Sequence, residues 1–241
     1  MPDITTTDFK FQPYWWDAAP PMPFSSGEPA GGYDAVIVGS GFTGISAALR
    51  LARAGRSVAV LDRQDPGAGA SRRNAGFIGR VLKKSYSELV SSKGKQKAQA
   101  IYRELNAAYR FTFELIEEED IPCFPARPGR FIGATSLGHY KALSRDLSVI
   151  EADMGFEHRM LAPSQVREGL ATDVYRGGAI IPDSGSLHPG LYHKGLLDRA
   201  RAAGVSIFGS TEVVAIRQLA DNSCEVRTDR GTIIARDVVV G

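Results

Sequence analysis

Three glycines, spaced two and three residues apart, carry the strongest chemical signal in this chain. They stand in Gly39-Ser40-Gly41-Phe42-Thr43-Gly44. The apolar run Ala35-Val36-Ile37-Val38 leads into them, and the helix-like run from Ile45 to Arg53 leads away. Strand, tight turn and helix form the context in which G-x-G-x-x-G reads as a pyrophosphate cradle. Gly39 permits the turn, Gly41 lets the backbone approach a pyrophosphate, and Gly44 lets the helix pack closely on the strand. The helix N-terminus, at Phe42 and Thr43, then offers free N–H groups and a positive dipole end to the phosphates. The chemistry indicated is the binding of a dinucleotide.

A carboxylate stands where such a ligand needs one. The apolar run Ser57-Val58-Ala59-Val60-Leu61 ends at Asp62, 18 positions after Gly44. That is close to the ~20 expected for the acid that takes the adenosine ribose hydroxyls. FAD and NAD both carry this ribose, so Asp62 does not choose between them. Arg63 follows and could meet a 2′-phosphate, an NADP signal against which the retained acid argues.

The next loop, Gly67-Ala68-Gly69-Ala70-Ser71-Arg72-Arg73-Asn74-Ala75-Gly76, separates flavin from nicotinamide. A simple NAD dehydrogenase has no reason for it. A flavin's pyrophosphate and ribityl chain run over the switch point, where small residues let backbone amides reach them. Ser71 can donate to phosphate, Arg72 or Arg73 can neutralise it, and Asn74, Ala75 and Gly76 can approach the ring. A flexible Gly/Ala loop is the bland alternative.

The elements that must hold these residues can be placed along the chain. A Pro/Gly-rich leader arm, residues 1–32, contains Tyr14-Trp15-Trp16, aromatics suited to docking on the body of their own or a neighbouring subunit. A β-α-β unit spans 33–62. Residues 92–119 read as one long helix, with Ala98, Ile101, Tyr102, Leu105, Ala108, Tyr109 and Ile116 at helical spacing. Lys93, Lys95, Lys97 and Glu117-Glu118-Glu119 read as solvated ends. A loop and strand lead to 135, helices to 137–154 and 163–169, and a strand to 177–181. A helix over 190–203 follows, then strands at 205–208, 212–217, 224–228, 232–235 and 237–240. His188-Pro189 reads as a helix start, with Pro189 at its favoured first position. The expected fold class is α/β: a Rossmann-like nucleotide-binding domain interrupted by an α+β substrate domain. Residues 33–120 form its first segment, 121–187 start the substrate domain, and 188–241 return to the first sheet.

Composition narrows the partners. The 241 residues are 43% hydrophobic and 23% charged, with net charge +2, which is ordinary globular composition. No basic block suggests nucleic acid, and no run approaches the ~20 apolar residues of a membrane span. Met1-Pro2-Asp3-Ile4 has no basic start or apolar core, so a cytoplasmic location is expected. Cys123 and Cys224 form no metal or redox motif and read as buried or free thiols in a reducing compartment. HExxH, GxSxG and P-loop motifs are absent.

These motifs resemble the FAD-dependent D-amino-acid oxidase superfamily, which includes glycine and sarcosine oxidases. The likeness is greatest to the gamma-glutamylputrescine oxidoreductase-like branch. It rests on the aromatic-proline leader, the glycine turn, Gly69 to Gly76, and Ser186-Leu187-His188-Pro189. The resemblance implies that Gly39, Gly41 and Gly44 hold the FAD pyrophosphate and that Asp62 holds the ribose, where the family usually has Glu. It implies that Ser71, Asn74 and Gly76 line the path to the flavin and that the Val213 backbone meets adenine. Arg73 stands where some relatives tether flavin through histidine, so FAD is expected to be non-covalent. The implied reaction oxidises a C–N bond of an amine or amino acid by hydride transfer to flavin N5. The imine is then hydrolysed, and oxygen or another acceptor reoxidises the flavin. No catalytic acid–base pair is found. The sequence reads as the N-terminal portion of a longer oxidase, so 241 residues alone are expected to bind FAD weakly and turn over nothing. An NAD(P)-dependent dehydrogenase, and a non-catalytic nucleotide-binding subunit working with a separate chain, are the alternatives.

Overall fold

The computed structural model describes residues 6–24, 27–80 and 82–241. The absence of a secretion signal, read at Met1-Pro2-Asp3-Ile4, lies outside them. In chain order the elements are β1 (Gly32–Val38), α1 (Phe42–Arg53), β2 (Val58–Leu61), β3 (Phe77–Ile78), α2 (Tyr86–Lys93), α3 (Lys95–Glu118), β4 (Arg130–Gly133), α4 (Leu137–Met154) and β5 (Arg159–Leu161). Then come α5 (Val166–Gly169), β6 (Gly178–Ile181), β7 (Gly185–Ser186), α6 (Pro189–Ala202), β8 (Ser206–Phe208), β9 (Val213–Gln218), β10 (Cys224–Thr228) and β11 (Thr232–Val240). Among the described residues no helix is long and apolar enough to cross a membrane.

The first compact unit comprises residues 1–75, 119–123 and 188–241. Its six-stranded sheet runs β8-β2-β1-β11-β10-β9. The first four strands are parallel, and β11, β10 and β9 continue as an antiparallel meander. All four residues of β2 are buried, as are Ala35, Val36 and Ile37 of β1. Strands covered on both faces read as unbroken apolar runs, which is why both were visible in the sequence. The two short strands expected at 232–235 and 237–240 are one strand. Parallel pairing with β1 runs from Gly32–Ile234 to Val38–Val240, while Arg236 projects outward to Asp34 and Asp237. Backbone pairing carries the strand through a polar pair that breaks the apolar pattern.

The two leader tryptophans pack on their own unit. Trp15 donates its indole N–H to Asn74 O at 2.7 Å and meets His188 edge-on, and Trp16 lies beneath the Arg73 guanidinium. His188 caps α6 by accepting the Leu191 N–H at Nδ1, with Pro189 in the first turn. Cys123 is buried, which pushes its thiol up to about 11, and Cys224 is half-buried; both are free.

Glu119 corrects the reading of its acidic run. Glu117 and Glu118 are exposed, but the Glu119 side chain is only 2% exposed, held by Arg53 and by Arg199 through its own carbonyl. Arg53→Met strands that carboxylate. The expected loss is about 2 kcal/mol, below the ~3–5 kcal/mol of a wholly buried pair, because Arg53 is half-exposed and Arg199 stands near. Urea unfolding of R53M beside R53K measures it, and equal midpoints for wild type and R53M would remove the pair from the account.

The second unit comprises residues 76–118 and 124–187. It holds the antiparallel sheet β4-β6-β5, the pair β3-β7, and α2 to α5. The expected single helix over 92–119 is broken at Gly94, which adopts φ +82° between α2 and α3. Ser85 and Glu88 form a reciprocal capping box that starts α2. Tyr86, Leu89, Ala98, Tyr102, Leu147, Ile150, Ala179 and Ile181 form its core. Ala108, counted on the apolar face of α3 from its spacing, is exposed. The expected segment 33–120 does not stay together: residues 76–118 belong to this unit, because α3 buries its apolar face here.

Candidate cofactor site

β1 ends at Val38, and the turn follows at once. Gly39 adopts φ +101°, a conformation strained for any side chain, while its N–H is held by Leu61 O at 2.7 Å. Gly41 occupies the N-cap of α1 with extended backbone and no side-chain cap. The third glycine answers to a steric need: a Cβ on Gly44 would stand 2.0 Å from Gly39 O and 3.2 Å from Ile37 Cγ2. The turn therefore closes against the helix with no room for a methyl group.

A cavity of about 430 Å³ opens at this turn. Gly39, Gly41, Asp62, Arg63 and Val213 line it, together with Gln64, Gly69, Thr211, Glu212 and the ends of β1, β2 and β11. Gly69 comes from the small-residue loop, while Thr211 and Glu212 are brought here by the chain leaving β8 beside β2.

Asp62 is set firmly. Its Oδ2 accepts the Ser40 N–H at 2.8 Å and the Ser40 hydroxyl at 2.5 Å, and Oδ1 accepts the Gln64 N–H at 2.9 Å. A carboxylate offers about four acceptor positions. With three engaged, room remains at Oδ1 for one hydroxyl donor such as a ribose.

Ser71 does not stand alone in its loop. Its Oγ accepts the Phe42 N–H at 3.0 Å, so it caps α1 from a distant segment and keeps its own hydroxyl proton to donate. Thr43 and Gly44 follow in the first turn of α1. Asn74 turns inward to Ala70 O and Ser71 O, which braces the 3₁₀ turn Ala70–Arg72. Ala75 is exposed at the end of this unit, and Gly76 is the first residue of the second. Phe42, Thr43, Gly44, Ser71, Asn74, Ala75 and Gly76 are not among the cavity-lining residues.

Arg72 departs from its expected phosphate role. It is 2% exposed, and three of its N–H groups are spent on His193 Nδ1 at 3.0 Å, Ala19 O at 3.0 Å and Pro20 O at 2.9 Å. Burial draws its pKa below the ordinary arginine value. Arg73 bonds Ala68 O and stacks on Trp16, so it too is engaged within the loop and leader.

His193, to which the sequence reading gave no role, joins these elements. It is completely buried on α6. Arg72 Nε–H can only donate, so His193 Nδ1 accepts and the proton resides on Nε2. That N–H donates to Ser40 O at 2.6 Å. Desolvation brings the His193 pKa down to about 4, with Arg72 adding to the shift and the Ser40 bond and Asp62 opposing it. The imidazole is neutral at neutral pH.

A family model described as FAD dependent oxidoreductase (DAO) matches residues 34–241. A probable oxidoreductase OrdL of Haemophilus influenzae is 30% identical over 86% of this chain and 48% of its own length. Gamma-glutamylputrescine oxidoreductase of Escherichia coli is 28% identical over 86% of this chain and 48% of its own. The crystal structure of glycine oxidase from Geobacillus kaustophilus superposes with a TM-score of 0.72 at 26% identity, covering 87% of this chain and 55% of that one. The chain thus spans about half the length of the curated relatives it matches.

Proposed function

The chain belongs to the DAO family of FAD-dependent oxidoreductases, and from that premise we propose that its glycine turn holds the ADP half of FAD in an enzyme that oxidises a C–N bond of an amine or amino acid. One observation carries the reading. The cavity at the turn presents Gly41 and Asp62, with an acceptor position left at Oδ1, beside a helix whose N-cap residue has no capping side chain. Backbone N–H groups there suit a pyrophosphate, and the acid suits a ribose.

In this reading Gly41 and the first turn of α1, Thr43 and Gly44 included, bind the pyrophosphate. Ser71 holds the Phe42 N–H and offers its own proton. Asp62 takes a ribose hydroxyl, and Val213 with Thr211 and Glu212 walls the adenine end. Arg73 stands where some relatives tether flavin through histidine, and this reading therefore has FAD bound non-covalently. When bound, the flavin supplies the hydride acceptor, and the oxidised C–N product is then open to hydrolysis. Within the second unit, a cavity of about 560 Å³ lined by Phe77, Arg130, Phe131 and the Ser184–Ser186 segment is the candidate substrate pocket. Arg130 there provides a positive charge for a carboxylate-bearing substrate. The likeness to a glycine oxidase and to a gamma-glutamylputrescine oxidoreductase supports this substrate class.

Binding is tested on the 241-residue chain by fluorescence titration with FAD, NAD⁺ and NADP⁺. FAD should bind and neither nicotinamide should compete. Turnover is tested on protein purified from its natural source, which retains whatever it works with. Amines and amino acids should reduce an acceptor dye in step with release of the carbonyl product. Nicotinamide binding without flavin would instead favour a dehydrogenase, and co-purification with a catalytic partner chain would favour the subunit reading.

A further inference from the structure

We infer that His193 is a positioning residue for the cofactor: it fixes the Ser40–Gly41 peptide so that the Gly41 N–H is presented to the pyrophosphate. The inference rests on the FAD reading above and adds a residue that no motif contains.

A trans peptide is planar, so its C=O and N–H point in opposite directions. The Ser40 carbonyl points at His193 Nε2, 2.6 Å away. The Gly41 N–H therefore points away from His193, and Gly41 is a wall of the cavity. Among the described residues that N–H has no acceptor in the protein. Rotating this peptide by half a turn would put a carbonyl oxygen where an anion must sit. Nothing in a glycine turn opposes such a rotation by sterics alone, because Gly41 lacks a Cβ.

Two anchors hold the peptide instead. On one side, Asp62 pins Ser40 itself, through its Oγ and through its N–H in the preceding peptide. On the other, His193 takes the carbonyl, and Arg72 ensures that it can. Arg72 Nε–H occupies Nδ1, so the imidazole proton stays on Nε2, where Ser40 O needs a donor. Arg72 is itself clamped by the leader carbonyls of Ala19 and Pro20. The chain of bonds runs from the leader through Arg72, His193 and Ser40 to Asp62, all within the first unit. Arg72 thus serves the phosphate site from behind, through tautomer control.

Glutamine and asparagine separate the two ends of the imidazole. Glutamine places an N–H₂ near Nε2 and can still donate to Ser40 O. Asparagine places its amide near Nδ1 and reaches only Arg72. Two readouts are needed: FAD affinity by fluorescence titration, and the carbonyl carbon shift of Ser40 in the cofactor-free chain by NMR, which reports the hydrogen bond this peptide accepts. Thermal unfolding of each variant is followed alongside. His193→Asn is expected to weaken FAD by at least about tenfold and to move the Ser40 carbonyl shift to that of an unbonded carbonyl, whereas His193→Gln stays within about threefold of wild type in affinity and keeps the shift, given the usual size of a hydrogen bond to a charged group. Equal behaviour of the two variants, or an FAD loss that only follows the unfolding temperature, would overturn the inference. If wild type takes up no FAD, the FAD reading fails by itself. The carbonyl shift then still decides whether His193 sets this peptide.

Discussion

Gly44→Ala is expected to abolish FAD uptake and to lower the stability of the first unit by about 3 kcal/mol, the upper end of the usual overpacking range. The new methyl carbon would stand 2.0 Å from Gly39 O and 3.1 Å from Gly39 C. Both are backbone atoms, so no side-chain rotation relieves the overlap. Gly39 cannot yield easily either: its N–H is anchored on Leu61 O, and its φ of +101° leaves glycine few alternatives. Relief must come from moving α1 off the sheet or from opening the turn. Either displaces the N–H groups proposed to meet the pyrophosphate. Gly32→Ala is the matched control, because a Cβ there meets nothing within 4 Å and the backbone is ordinary for a strand. It should stay within about 0.5 kcal/mol of wild type. Urea unfolding and FAD titration of both variants measure the contrast. Gly44→Ala binding FAD as wild type does would mean that the turn is not the cofactor's cradle.

The glycine turn was legible because three independent signals agreed: buried-strand runs on either side, glycine spacing, and an acid at the end of β2. Each is local, and each follows from one segment's own backbone needs. Arg72 and Arg73 show where local reading stops. Both are cations in a small-residue loop, and nothing nearby tells which faces a ligand. The answer lies in the Ala19 and Pro20 carbonyls and in His193, 121 positions further along. His193 itself was half legible. It shares a helical face with Leu196, Leu197 and Ala200, all buried, so its burial could be read from spacing. Its partners could not, because they are a backbone carbonyl and an arginine brought in by the fold.

The misplacement of α3 has a related cause. Its apolar stripe was visible, but a stripe does not name the surface it covers. Tyr102 packs with Tyr86, Leu147 and Ile181 in the second unit, although the helix precedes the expected boundary at 120. Glu119 sits in one run of acids with Glu117, Glu118 and Asp120, yet it alone is buried, because the chain crosses there into the first unit and meets Arg53 and Arg199. Periodicity identifies elements; the return of a distant segment assigns them.

Acid should weaken the fold through His193 before the carboxylates titrate fully. Its folded pKa of about 4 lies below the ordinary 6.5. The native state holds it neutral, so as pH falls through 6.5 the unfolded chain takes up the proton first. Stability is whole above that value, declines as pH falls, and stops declining from this source below about 4, where both states are protonated. A shift of this size corresponds to at most about 3 kcal/mol. The groups facing the ring set the size: burial and the Arg72 guanidinium depress the pKa, while the Ser40 carbonyl and Asp62 carboxylate oppose them. Other acids, such as Asp34 with its pKa lowered by Ser57, add their own loss at the low end. The informative quantity is therefore the difference between wild type and His193→Gln, which keeps a donor for Ser40 but has no proton to gain. Urea unfolding from about pH 7 to about pH 4 should show wild type losing stability more steeply than the glutamine variant by that ~3 kcal/mol. Parallel curves would mean that the native ring takes up its proton as readily as the unfolded chain does, so that burial and Arg72 do not hold it neutral.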